Sequence, residues 1–227
     1  MHFHRCTTLL LTLSALAAAG TINAQTTQQP DQQEKRILGI IPNSRSSGGL
    51  TEYKPLTVKD KFKIARDDSF DRGTVVLGMV FGAQAQLTNA NPSFGQGMKG
   101  YSQYAATGYG DYLIGNMMTE GVFPSLLHQD PRFFRRGTGS GWVRLGHSVK
   151  QIFWTRRDAG GYEFNYSEFG GNAAAVAISN AYCADNRTAS DAISKWGTQI
   201  AVDLAGNILK EFGPDITRKL SRRRNRN

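Results

Sequence analysis

The chain has 227 residues, 40% hydrophobic side chains, 25 glycines, two cysteines and a formal charge of +9. Cys6 precedes an apolar leader and is removed with it, so Cys183 stands alone in the mature chain and an intramolecular disulfide is excluded. Arg218, Lys219, Arg222, Arg223, Arg224 and Arg226 account for all but +2 of the mature charge, so the basic excess is a tail and not a basic body.

Met1 to Arg5 carries one positive charge, Thr8 to Gly20 is an apolar run, and Ile22-Asn23-Ala24 forms a cleavage site before Gln25. This is the layout of a secretory signal over residues 1–24, and it predicts a protein exported to the periplasm or outer membrane of a Gram-negative bacterium. Residues 25–56 read as a polar, disordered leader followed by an extended segment, Ile37 to Ile41, ended by Pro42. A helical domain over 57–217 and a basic tail over 218–227 complete the organisation.

Thr57 and Asp60 form a capping box that opens a short helix. From Gly73 to Met98 no side chain is ionisable, and Gly73 to Leu87 is expected to be helical with Asp71 at its positive end. Its strongly apolar part, Val75 to Ala83, is about half of the roughly 20 residues a spanning helix needs. A second helical region, Gly97 to Thr119, is interrupted by Gly108 and Gly110. Ser140 caps an amphipathic helix with Trp142, Leu145, Val149, Ile152 and Phe153 on one stripe. Tyr162, Phe164 and Tyr166 alternate as in a short strand. Ser167 opens a helix through Tyr182. Thr188 and Asp191 cap the last helix, Ala189 to Phe212. The fold class is mainly α: about five helices packed through Gly/Ala seams, with little or no sheet.

Three small-residue ladders define the expected seams: Gly78 with Gly82; Ala173, Ala177 and Ala181 beside Gly171, Ala175 and Ser179; and Gly197, Ala201 and Ala205. Stripes without bulk let backbones approach closely, as lipid-embedded helices require. Phe133-Phe134-Arg135-Arg136 and Phe153-Trp154 with Arg156-Arg157 read as headgroup-level anchors. In the loop Gly137 to Gly141, Gly139 and Ser140 lie beside Arg135 and Arg136, where amides at a helix start could hold a lipid phosphate. Asp111, Asn116, Asp203 and Asn207 interrupt apolar helical stretches and read as a buried polar network. Glu120, His128, Asp130 and His147 form a candidate metal set, without the HExxH spacing of a hydrolytic metal site.

Three blocks, Pro124-Ser125-Leu126-Leu127-His128-Gln129-Asp130-Pro131-Arg132-Phe133, Phe164-Asn165-Tyr166-Ser167-Glu168 with Gly171-Asn172, and Lys210-Glu211-Phe212-Gly213-Pro214-Asp215, resemble exported bacterial envelope proteins. The resemblance covers about residues 37–217 and implies no activity. The expected role is structural or lipid-interacting at a membrane, with anionic lipid headgroups as partner and self-association through the seams compatible with it. No cofactor and no nucleic acid is expected. The competing expectation is a periplasmic metal-dependent hydrolase built on the four metal candidates.

Overall fold

A computed structural model describes residues 53–182, 185 and 188–224 and the strand segments 36–37, 41–42 and 46–47. All of them belong to one compact unit, Gln33–Asn227. The signal, its cleavage site, most of the leader and Cys183 lie outside the described residues. The fold is mainly helical, as its periodicity requires.

Helix α1 (Val58–Ser69) begins at the Thr57–Asp60 capping box, and α2 (Arg72–Leu87) begins at Asp71, whose carboxylate accepts from Gly73 N. After a 3-10 turn at Pro92–Phe94, α3 (Gly97–Asn116) runs back along α2. Gly108 and Gly110 do not interrupt α3; a Cβ on Gly108 would already touch Gly78 O at 3.5 Å, so this glycine serves close approach. The helix passes into a π-helical stretch, Met117–Val122, and then α4 (Phe123–Leu127). Helix α5 (Gly141–Phe153) starts at the Ser140 cap, and α6 (Tyr166–Tyr182) and α7 (Ala189–Arg224) follow. The last helix does not stop at Phe212. Pro214 lies inside it, and the basic tail continues it to Arg224.

Sheet is confined to short pairings. Strands β1 (Arg36–Ile37) and β2 (Ile41–Pro42) are antiparallel, and β3 (Ser46–Ser47) runs parallel to β4 (Phe133–Phe134). Strands β5 (Trp154–Arg156) and β6 (Tyr162–Phe164) pair antiparallel, with Thr155 opposite Glu163.

The Gly78–Gly82 ladder is a seam. Added Cβ atoms would lie 3.1 Å from Tyr109 Cβ and 2.6 Å from Ala105 Cα, so α2 and α3 meet backbone to backbone. The other two ladders are corrected by the structure. Ala173, Ala177 and Ala181 are exposed; the buried line on α6 is Gly171, Ala175 and Ser179, with Gly171 against the Thr119 backbone. Gly197 and Ala201 are also exposed, with nothing within 4 Å of a Cβ on Gly197, and Ala205 is half-buried. Helix α6 is small on several lines at once, so polar partners decide which line turns inward: Glu168, Asn172 and Ser179 are buried on the same side.

The interior is correspondingly polar. Among the largest fully buried side chains are Lys61, Gln129, Glu120, Glu211 and Asp130, beside Tyr104. Meanwhile Leu87, Trp142 and Met98 are 86%, 83% and 80% exposed.

Candidate functional site

The buried polar groups gather where the ends of α4, β4, β5 and α6 meet. Gln129 is the connector. Its Nε2 donates to Glu163 Oε1 and Phe164 O, both at 2.8 Å, and its Oε1 accepts from Ser167 N at 2.8 Å. The next residue, Asp130, has a fully buried carboxylate that accepts from Arg132 Nη2 at 2.6 Å, Nε at 3.0 Å and N at 2.9 Å. Such a two-pronged pair compensates the desolvation of both charges. Arg132 and Arg156 both stack on Tyr53 and Phe134, with guanidinium carbons 4.5 to 5.9 Å from the ring centres. Burial pushes the Tyr53 phenol up to about 12, and the negative charges of Asp130 and Asp158 add to the effect. Its hydroxyl donates to Arg157 O at 3.0 Å.

Beside this junction lies a cavity of about 20 Å³ whose lining includes Thr119, Asp130, Arg132, Gln151, Glu168 and Asn207. That is room for about one water molecule, and too little for an organic substrate. Two further buried ion pairs fasten the body. Lys61, 1% exposed, reaches Asp158 at 2.5 Å and Pro124 O at 3.0 Å, tying α1 to the turn after β5. Glu211, fully buried on α7, accepts from Arg136 N and Gly137 N at 2.9 Å and from Arg144 Nε at 2.7 Å.

This last contact corrects the phosphate reading of the loop. The amides of Arg136 and Gly137 do face an anion, and that anion is the protein's own Glu211. Arg135 turns inward as well: its Nε donates to Glu211 O at 2.9 Å and its Nη2 pairs with Asp215 at 3.0 Å. Gly139 holds a left-handed φ of 100° in the exposed loop, and Ser140 accepts from Val143 N as the α5 cap. Arg157 is exposed and lies 3.3 Å from Glu163, while Arg156 Nε donates to the Tyr162 hydroxyl at 3.0 Å. Of the two aromatic–Arg clusters, Phe133 and Phe134 are buried and cannot act as headgroup anchors, whereas Phe153 and Trp154 are exposed.

The four metal candidates do not converge, and among the described residues no three His, Cys, Asp or Glu side chains are placed to hold a metal ion. His128 is exposed at the C-cap of α4, in the left-handed region at φ 55°. His147 Nε2 lies 2.7 Å from Phe134 O and 2.7 Å from the Gln151 amide nitrogen. Asp130 belongs to Arg132, and Glu120 is buried in the π-helical turn packed on α1. The predicted polar network is split. Asp111 accepts from the Tyr182 hydroxyl and pairs with Lys195 at 2.8 Å, whereas Asp203 accepts from Asn172 Nδ2 at 3.2 Å. Asn207 lines the cavity, and Asn116 Nδ2 is buried with no hydrogen-bond partner among the described residues.

Gln129 and Glu211 stand in the blocks quoted above, but neither they nor Lys61 and Arg144 had a role assigned from sequence. Each sits in a pattern that reads equally well as a solvated face, because its partner is distant in the chain.

Outside, the helices differ sharply. On α1 the exposed side chains are Lys59, Lys63, Arg66 and Asp67 together with Val58 and Phe62. On α2 they are Val76, Met79, Val80 and Leu87, with Arg72 at the start of the helix, in the sector away from the glycine seam. Exposed Phe153, Trp154, Tyr162 and Tyr166 form a second apolar area around β5 and β6. No helix among the described residues is long and apolar enough to cross a membrane. This geometry defines a helical body with several charged groups buried beside a small apolar core and with exposed aliphatic and aromatic patches. No family model, curated protein or solved structure matches the chain, so its functional reading rests on these residues.

Proposed function

We propose that the protein is a membrane-associated component of the cell envelope with a structural, lipid-contacting role, and that it seats the α2 stripe in the surface of a bilayer. The observation that carries this reading is the set of large apolar side chains left outside, Val76, Met79, Val80, Leu87, Trp142 and Trp154, on a body that buries Lys61, Glu120, Asp130 and Glu211. Burying charged side chains while leaving aliphatic ones in water wastes hydrophobic free energy, roughly 1.5–3 kcal/mol for each large side chain left exposed. A lipid surface removes that penalty, because the exposed side chains gain an apolar phase while the ion pairs stay within protein. Exposed Trp154, Tyr162 and Tyr166 have the amphipathic rings favoured at the headgroup level. The exposed charges of α1 provide a wet side.

Vesicle flotation tests the reading. The protein recovered from the envelope of expressing cells should float with phosphatidylcholine vesicles. The variant Val76→Asn, Met79→Gln, Val80→Asn should float at least about tenfold less, since each aliphatic side chain contributes on the order of 1 kcal/mol or more. If the unaltered protein stays at the bottom of the gradient with every vesicle offered, the reading is wrong.

A further inference from the structure

We propose that the end of α7, Ile216 to Arg223, is an anchor for acidic phospholipid: a basic amphipathic helix that lies on an anionic bilayer. The inference rests on the membrane reading above and adds the class of lipid.

As a sequence, the tail is a charge run with no acid, which reads either as contact with anionic lipid headgroups or as solvated chain. The structure makes it helix. Helix α7 continues unbroken through Pro214 to Arg224, and every residue from Arg218 to Arg223 is exposed. Its exposed side chains are of two kinds only, apart from Ser221. Ile216 and Leu220 stand one turn apart at 42% and 55% exposure, with Arg223 and Lys219 beside them and Arg222 and Arg218 farther round the helix. The last carboxylate before this segment, Asp215, is already taken by Arg135 at 3.0 Å and Arg144 at 2.6 Å. So the cations of the extension have no acid in their own helix to neutralise them.

The turn before the extension is clamped. Pro214 removes the amide that Lys210 O would accept, and the next carbonyl, Glu211 O, accepts from Arg135 Nε and from Arg144 Nη2 at 2.6 Å. The Arg144 guanidinium also lies 4.5 Å over the Phe212 ring. The extension is therefore presented in a fixed direction. Cations at a helix C-terminus also complement the helix dipole. The dipole gives no reason for Ile216 and Leu220 to stand in water between them. A bilayer with acidic headgroups accommodates both sets at once, with aliphatics in the acyl boundary and guanidinium groups at the phosphates. A nucleic acid would satisfy the cations and leave the aliphatics unserved.

Binding of the envelope-recovered protein to vesicles of phosphatidylcholine alone and of phosphatidylcholine with phosphatidylglycerol is the test, with duplex RNA as a third ligand. Each cation near an anionic surface contributes about fivefold to binding. The unaltered protein should therefore prefer the acidic vesicles at least about tenfold, and the preference should fall as salt rises. The variant Arg218→Gln, Lys219→Gln, Arg222→Gln, Arg223→Gln should bind both vesicles as the unaltered protein binds neutral ones. Ile216→Ser with Leu220→Ser should weaken binding to acidic vesicles several-fold and leave the melting temperature of the body unchanged. Equal binding of the unaltered protein to both vesicles, or a preference that survives the four glutamines, overturns the anchor while leaving the membrane reading intact. Charge-dependent binding to RNA without preference for acidic vesicles overturns it in favour of nucleic acid. Failure to bind either vesicle removes both proposals.

Discussion

A Cβ placed on Gly82 would sit 2.6 Å from Ala105 Cα and 2.7 Å from its backbone nitrogen, so Gly82→Ala must push two helix backbones apart. Overpacking of this kind costs about 1–3 kcal/mol, more than the roughly 1 kcal/mol gained from better helix propensity. At Gly197 a Cβ meets nothing within 4 Å, and Gly197→Ala should stabilise by about 0.5–1 kcal/mol. Thermal melts of the two variants should move in opposite directions; equal destabilisation would contradict the seam. Tyr53 provides a second test at this scale. Its phenol is pushed up to about 12 by burial and then by the carboxylates of Asp130 and Asp158, so the neutral form belongs to the folded state. Its contribution is complete below the ordinary tyrosine value of about 10 and is lost as pH rises through 12. Ultraviolet titration should show one phenol ionising late, and Tyr53→Phe should remove that component.

Between elements, the joint of α5, α7 and the β4–α5 loop brings together Arg135, Arg144, Glu211 and Asp215. Glu211→Ala would leave the Arg136 and Gly137 amides without their acceptor and Arg144 Nε without its carboxylate, with Asp215 and the main-chain oxygen of residue 211 still held by Arg144, and breaking a buried pair this way costs about 3–5 kcal/mol. Urea midpoints should report the loss. The joint is also acid-sensitive. Burial alone would push the Asp215 carboxyl up, but the hydrogen bond from Arg144 and the charges of Arg135 and Arg144 outweigh it and hold the carboxyl below its ordinary 3.8. A depressed folded value means that the stabilisation is present at neutral pH and is lost as pH falls from about 4 through the folded value. Asp215→Asn should therefore lower the melting temperature at pH 7, and the gap from the unaltered protein should narrow below about pH 4. Two ladder misreadings also belong to this scale. On α6 and α7 small residues line more than one face, and the face turned inward is the one whose polar neighbours find partners, Asn172 with Glu168 and Asp203, and Lys195 with Asp111.

For the whole molecule, the exposed charges of α1 and the aliphatic stripe on α2 predict a defined orientation at a bilayer. In a cysteine-free background with vesicles present, a nitroxide at position 80 should collide more with oxygen than with a water-soluble nickel reagent. A nitroxide in place of Lys63 should do the reverse. Identical accessibility at the two positions would mean that no side of the molecule faces lipid.

Helix starts were readable because their signals are local: Thr57 with Asp60, Ser140 with Val143 and Thr188 with Asp191 close their hydrogen bonds within three residues. The Gly78–Gly82 seam was readable because α2 has one small face. The mainly helical class and the scarcity of sheet follow from the same short-range patterns. The partners of buried charge were a different matter. Lys61 meets Asp158 and Arg144 meets Glu211 only after the chain has folded back on itself. A charge in a linear pattern is read as solvated, and Coulomb attraction between residues tens of positions apart leaves no periodic trace. Propensity and capping act over a single turn and so are written along the chain. The choice of which charges lose their water is made by three-dimensional proximity, and in this molecule it placed Lys61, Asp130 and Glu211 inside beside Phe133, Ile152 and Val176 while Lys59, Lys63 and Arg66 stayed in water.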